Sequence, residues 1–314
     1  MRYTRLGKSD LKISVIGLGT SQFGNKNWGW NTEYGVEEAL AVINRAVELG
    51  VNFFDTAEVY GDGVSEKVLA KGLSNIDRED IVIATKVAGR NLRYKDVVKA
   101  AKNSLERLGT SYIDLYQIHW PNFYVPIKET IKAMEDLVDK GWVRYIGVSN
   151  FNGPLLREVI EACRKYEVIS NQVLYNSIER MAEKEIIPLA KENGVAIIAY
   201  SPLAMGILTG KYNLQKKPSG WRRESYNLIT NQMLYRNSIR FVELVDEEIA
   251  KKKSCSVSQI FLAWTISKNA IPIPGAKKPL HIELNAKASE ISLSQNEINY
   301  IDNIWNKLLK EDIW

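Results

Sequence analysis

The chain has 314 residues, 45% hydrophobic and 25% charged, with 42 basic residues against 37 acidic ones. That is a globular composition, long enough for one α/β barrel, and the net charge of +5 suits an anionic ligand but is too small and too dispersed for a nucleic-acid surface. Two distant cysteines, Cys163 and Cys255, make neither a CxxC pair nor a disulfide framework, and no run of 18 apolar residues is present to span a membrane. The N-terminal stretch MRYTRLGKSD lacks the apolar run of a signal peptide, so the expected setting is cytoplasmic.

Along the chain, extended pieces around residues 2–5 and 12–14 flank LGKSDL, a hairpin turn. A regular alternation follows. Short β-branched or apolar runs occur at SVIGLG, VNFFD, IVIATK, YIDLYQIH, VRYIGVS, VISNQ, VAIIAY and IPIPG, separated by stretches with helical spacing. Val36, Leu40, Ile43 and Val47 form one such stripe before Gly50. Val97, Ala101, Leu105 and Leu108 form another before Gly109, and Ile127, Ile131, Met134 and Leu137 a third before Gly141. Parallel neighbours need a crossover, so this alternation predicts a parallel sheet. Eight βα units in about 300 residues predict a single (β/α)8 TIM-barrel domain over residues 1–314, with an N-terminal β-hairpin. GLGTSQFG has G-x-G but no third glycine in register, which argues against a Rossmann domain.

Residues 201–237 interrupt the rhythm with an insertion containing KKPSGWRRES, long enough to be a functional cover or a disordered linker. The tail LSQNEINYIDNIWNKLLKEDIW predicts an extra C-terminal helix whose Ile298, Ile301, Ile304 and Trp305 pack on the barrel.

The predicted strands close on Asp55, Lys86, His119, Ser149–Asn150, Gln172, Tyr200–Ser201 and Pro274–Gly275. In a barrel these positions ring one mouth, where catalytic groups gather. Taken singly, Asp55 reads as a turn cap, Lys86 as a rim charge, Tyr60 as turn filler and His119 as a core histidine. Taken together they converge, and the convergence has a chemical use. A phenol titrates near pH 10, too high for an efficient proton donor at neutrality, and a neighbouring ammonium lowers it. Asp55 can keep that lysine charged, and His119 can donate a hydrogen bond to the oxygen that Tyr60 protonates.

With those residues in view, the chain resembles the aldo-keto reductases over nearly its whole length. Seven stretches carry the likeness in order: GLGTSQFG, FFDTAEVYGDGVSE, ATK ending at Lys86, DLYQIHWP, IGVSNF, YSPLAMGILTGKY and IPGAKK. The resemblance implies Tyr60 as acid, Lys86 and Asp55 as its tuning pair, and His119 as the residue that orients substrate. It implies NADPH as cofactor, with NADH possible. Ser149, Asn150 and Gln172 would hold the nicotinamide carboxamide and Tyr200 would stack under its ring. Residues 201–211, including Ser201, Pro202, Leu203, Gly206 and Lys211, would wrap the pyrophosphate. Residues 275–285, including Gly275, Ala276, Lys277, His281 and Asn285, would hold the adenosine phosphate end. The family usually has arginine or glutamine where His281 stands and glutamate where Leu284 stands; Lys277 and Lys278 remain as phosphate partners.

Phe23, Trp28 and Trp30 follow the first barrel strand and Trp120 follows His119, a placement that predicts an aromatic wall for a small carbonyl substrate, an aldehyde or ketone rather than a highly charged sugar. No metal site is expected, because His281 is the only other histidine and no spaced ligand cluster exists. The rival reading is a cofactor-binding regulatory subunit, since the branch resembled includes potassium-channel β subunits; the intact Asp55, Tyr60, Lys86 and His119 set favours an enzyme.

Overall fold

A computed structural model of the protein describes residues 1–220, 224 and 226–311. Trp221, Arg222, Arg223 and Ser225 of the insertion, and residues 312–314 of the tail, lie outside the described residues.

The hairpin forms where the sequence places it. Strands β1 (Tyr3–Arg5) and β2 (Lys12–Ser14) pair antiparallel, with Tyr3 opposite Ser14. Its turn packs into the inside of the barrel, where Leu6, Leu11 and Ile13 are buried with Phe53, Val82, Leu115, Ile169 and Ile198. Gly7 makes this contact possible. Its φ is +55°, and a Cβ there would lie 2.4 Å from the Ile169 carbonyl oxygen.

Eight parallel strands follow, and their spatial order is their order in the chain. They are β3 (Leu18–Gly19), β4 (Phe53–Asp55), β5 (Val82–Val87), β6 (Ile113–Ile118), β7 (Val143–Ser149), β8 (Val168–Leu174), β9 (Ala196–Tyr200) and β10 (Ala270–Pro272). Gly17 and Gly19 donate their amide hydrogens to the carbonyls of Pro272 (3.0 Å) and Pro274 (3.3 Å), and Gly19 bridges Gly275. These contacts join the first strand to the last, giving the expected (β/α)8 barrel. Several strand ends differ from the sequence reading. β5 and β8 run on to Val87 and Leu174, whereas β6 stops one residue before His119 and β10 stops at Pro272. Pro272 and Pro274 have no N–H to extend a ladder, which accounts for the short β10.

The period-two alternation of a strand decides which residues reach the interior. Phe53 joins the inner cluster and Phe54 the outer one against the helices, so Asp55 shares the inward direction of Phe53. Val82 and Ala84 point inward on β5, which aims Lys86 the same way.

The helices use the predicted stripes, with one exception. The helix Tyr94–Leu108 buries Val97, Ala101, Leu105 and Leu108 and ends on left-handed Gly109. In the helix Val36–Glu48 the expected Ile43 is buried and Val47 is half-buried against the core, but Ala39, Val42 and Ala46 take the rest of the buried face and Val36 is 36% exposed. Two alanines on the buried face allow a closer approach than the bulkier stripe would. The helix Gln295–Glu311 buries Ile301, Trp305 and Leu308, with the Trp305 ring 5.4 Å from that of Phe241. Among the described residues no helix is long and apolar enough to cross a membrane.

Gly7→Ala should therefore destabilise the fold by about 1–3 kcal/mol, the range for overpacking at a site that cannot relax. Urea unfolding measures this, and an unchanged midpoint would show that the hairpin turn does not need its close contact with β8.

Candidate active site

Lys86 has a fully buried side chain at the barrel mouth. Its ammonium has three N–H donors and three acceptors: Asp55 Oδ1 at 2.6 Å, the Thr56 carbonyl at 2.8 Å and the Tyr60 hydroxyl at 3.3 Å. The other Asp55 oxygen accepts from the amide nitrogens of Gln172 (2.6 Å) and Gln117 (3.3 Å). Both buried charges are thus paired and hydrogen-bonded, the condition under which an ion pair is tolerated away from water.

Tyr60 arrives from the segment after β4, which turns back sharply through Gly61 and Asp62 in left-handed conformations. Its ring meets His119 edge-on, with centroids 5.5 Å apart. The His119 amide donates to Val87 and so prolongs the β5–β6 ladder past the last strand residue, while its carbonyl accepts from the Asn150 side chain at 3.0 Å. Asn150 has φ +64° and its Oδ1 accepts from the Tyr200 hydroxyl at 2.9 Å. The ends of β6, β7 and β9 are thereby tied together.

A cavity of about 480 Å³ opens at this mouth. Asp55, Tyr60 and His119 line it, as do Ser149, Asn150, Gln172 and Tyr200. Ser201, Pro202, Leu203, Gly206 and Lys211 contribute, followed by Gly275, Lys277, His281 and Asn285. Trp28 and Trp120 form aromatic wall, Trp120 being 53% exposed. Lys86 does not line the cavity; it lies beneath, bonded to two residues that do.

Three expected residues are placed elsewhere. Phe23 is fully buried against Trp30, with centroids 6.2 Å apart, because the turn that bonds its amide to the Thr20 carbonyl directs it into the core. Trp30 is buried with it, edge-on to Tyr34. Ala276 is also buried, its carbonyl held by the Gln22 amide at 3.0 Å. Met205 and Thr209 of the expected segment 201–211 also line the wall, whereas Ser21, Gln22, Ser256, Ser258 and Ile273 went unanticipated. Ser256 had a legible signal, since Ser256 and Gln259 form a capping box that opens the helix Val257–Ser267.

The aldo/keto reductase family model matches residues 15–306. The chain belongs to the aldo/keto reductase family. It is 37% identical over 287 residues to an uncharacterized oxidoreductase of Mycobacterium tuberculosis, covering 90% of this chain and 86% of that one. It is 34% identical to a probable voltage-gated potassium channel subunit beta of Arabidopsis thaliana, over 93% and 92% of the two chains. Among solved structures, an aldo-keto reductase from Klebsiella pneumoniae in complex with NADPH superposes with a TM-score of 0.78 at 27% identity, covering 97% of this chain and 95% of that one.

The electrostatics of this aldo/keto reductase site differ from the sequence expectation in one respect. Burial pushes the Tyr60 phenol above its ordinary value; Lys86 pulls it down, as expected, but less strongly than burial and Asp55 raise it. For Lys86, burial alone favours loss of charge, yet Asp55 and Tyr60 together hold the ammonium above its usual range. Burial, aided by the Lys86 charge, pushes the His119 imidazole down to about 3.

The sign of the His119 shift sets a pH dependence. Folded His119 stays neutral where the unfolded chain, with the ordinary value of 6.5, takes up a proton. Stability is therefore lost as pH falls from 6.5 towards about 3, within the window bounded by those two values. In urea unfolding, His119→Gln should lose less stability than wild type across that range; parallel profiles would mean that folded His119 protonates normally.

Proposed function

We propose that this chain reduces aldehydes and ketones to alcohols with a reduced nicotinamide dinucleotide, Tyr60 protonating the carbonyl oxygen. The observation that carries this reading is the Lys86 ammonium, which donates to Asp55 and Tyr60 directly beneath the cavity. A bound reduced nicotinamide supplies hydride to the carbonyl carbon. Tyr60 faces the cavity protonated at neutral pH, as an ordinary phenol is; its raised pKa makes it a weaker acid at rest, so its proton leaves only as charge builds on the substrate oxygen. As negative charge grows on the carbonyl oxygen, Tyr60 gives up its proton, and Lys86 stabilises the phenolate left behind. Asp55 keeps Lys86 charged. Neutral His119 has one ring N–H to donate to the same oxygen and thereby orients the substrate.

The rest of the cavity suits a dinucleotide. The Asn285 amide nitrogen is buried in its wall with no partner among the described residues, a vacancy that an adenine or ribose acceptor would fill. Ser201, Ala204, Met205 and Gly206 all have positive φ, an unusual density of left-handed backbone. Such turns gather N–H groups into concave anion sites, which supports a pyrophosphate role for residues 201–211 beside Lys211. Ser149, Asn150 and Gln172 are assigned to the carboxamide and Tyr200 to the nicotinamide face. Gly275, Lys277, His281 and Asn285 are assigned to the adenosine end, with Ala276 contributing backbone only. NADPH is the favoured cofactor and NADH an alternative. Trp28 and Trp120 suit an apolar carbonyl substrate.

The 34% identity to a probable channel subunit supports the rival role of a cofactor-binding regulatory subunit. Turnover separates the two. A screen of aldehydes and ketones with NADPH and NADH should find reduction, and Tyr60→Phe should cut kcat by roughly 10²–10⁴-fold, as for a lost general acid, while retaining cofactor affinity. Lys86→Met should be comparably damaging. Near wild-type turnover by Tyr60→Phe would overturn the assignment, and cofactor binding without turnover of any carbonyl would favour the regulatory role.

A further inference from the structure

Lys277 reaches the cavity wall already engaged. Its ammonium lies 2.8 Å from Glu33 Oε2 and 5.1 Å above the Tyr34 ring centroid, with the lysine side chain 23% exposed and the glutamate 65%. The two residues come from opposite ends of the chain. Glu33 sits in the loop between β3 and the helix Val36–Glu48, Lys277 in the segment after β10, and closure of the barrel makes those loops neighbours.

Both partners are held by their surroundings. The Glu33 amide donates to the Gly29 carbonyl at 2.8 Å, and the carboxylate folds so closely over Gly29 that a Cβ there would lie 2.7 Å from its carboxyl carbon. On the other side, Tyr34 donates its hydroxyl to the Gln22 carbonyl, and Gln22 in turn donates to Ala276, next to Lys277. The pair is therefore a positioned contact between loops at the wall where the adenosine end is assigned.

We infer that Glu33 sets the dinucleotide preference by competing with a ribose 2′-phosphate for Lys277. This rests on the reading of the cavity as a nicotinamide dinucleotide site. A 2′-phosphate must draw Lys277 away from Glu33 and sit near a second negative charge. A 2′-hydroxyl has neither difficulty, because a carboxylate accepts a hydrogen bond from it. Glu33 therefore lowers affinity for NADPH while leaving NADH nearly untouched. His281, which takes the place of the family's arginine or glutamine, is pushed down by burial and by the cations around it, so it adds no charge to offset Glu33 at neutral pH.

The test is titration of NADPH and NADH by tryptophan fluorescence quenching in wild type, Glu33→Gln, Lys277→Ala and the double variant. Glu33→Gln should tighten NADPH by about two- to fivefold, the range an exposed ion pair supports, with NADH changed by less than about twofold. The gain should shrink as salt rises and be smaller in the Lys277→Ala background, where only the direct repulsion between Glu33 and the phosphate remains to be relieved. An unchanged NADPH-to-NADH ratio in Glu33→Gln would overturn the inference while leaving dinucleotide binding intact. Failure of wild type to bind either cofactor would overturn the inference and the reading beneath it together.

Discussion

The buried contact between Lys86 and Asp55 is the constraint around which the mouth of the barrel is arranged. Charges away from water are costly, and truncating one partner of such a pair commonly costs about 3–5 kcal/mol because the other is left unpaired. Here all three ammonium hydrogens and both carboxylate oxygens have partners, supplied by β4, β5, β6, β8 and the turn after β4. No local piece of chain could satisfy them. The pair is stable only when several strands have taken their places, so the chemistry of the mouth follows from completion of the barrel.

The opposite end of the barrel has another task. There the hairpin inserts Leu6, Leu11 and Ile13 against inward-facing residues of the strands, and the interior becomes a dry, packed core rather than a pore. A rigid interior gives Lys86, Tyr60 and His119 fixed backbones. Backbone strain is instead concentrated at the rim, in Asn150 and residues 201–206, where left-handed conformations shape the cavity wall. Packing dominates below, and polar groups line the cavity above.

Much of this was legible along the chain. Alternation of apolar runs with helical stripes is a local signal, and it led to the strand count, the hairpin and the C-terminal helix. Asp55, Tyr60 and His119 were expected at one mouth because strand ends in such a barrel converge, and all three line the cavity there. The failures share a cause. Phe23 and Trp30 occupy a loop position that suits a pocket wall, but a turn folds them inward. Val36 and Leu40 have the right spacing for burial, yet the rotation of their helix depends on what Ala39 and Ala46 allow against the neighbouring elements.

Sequence by itself determined the kinds of element, their order, and that Asp55, Tyr60 and His119 gather at the mouth, because periodicity and residue chemistry are local properties. Only the tertiary structure decided how those groups act on one another. Whether burial or Lys86 prevails on the Tyr60 phenol depends on how much water the assembled walls exclude. That Glu33 meets Lys277, or that Gln22 braces Ala276, depends on the first and last strands closing the ring. These contacts join residues more than 240 positions apart, and their energies depend on distance and dielectric, neither of which is written in any one segment.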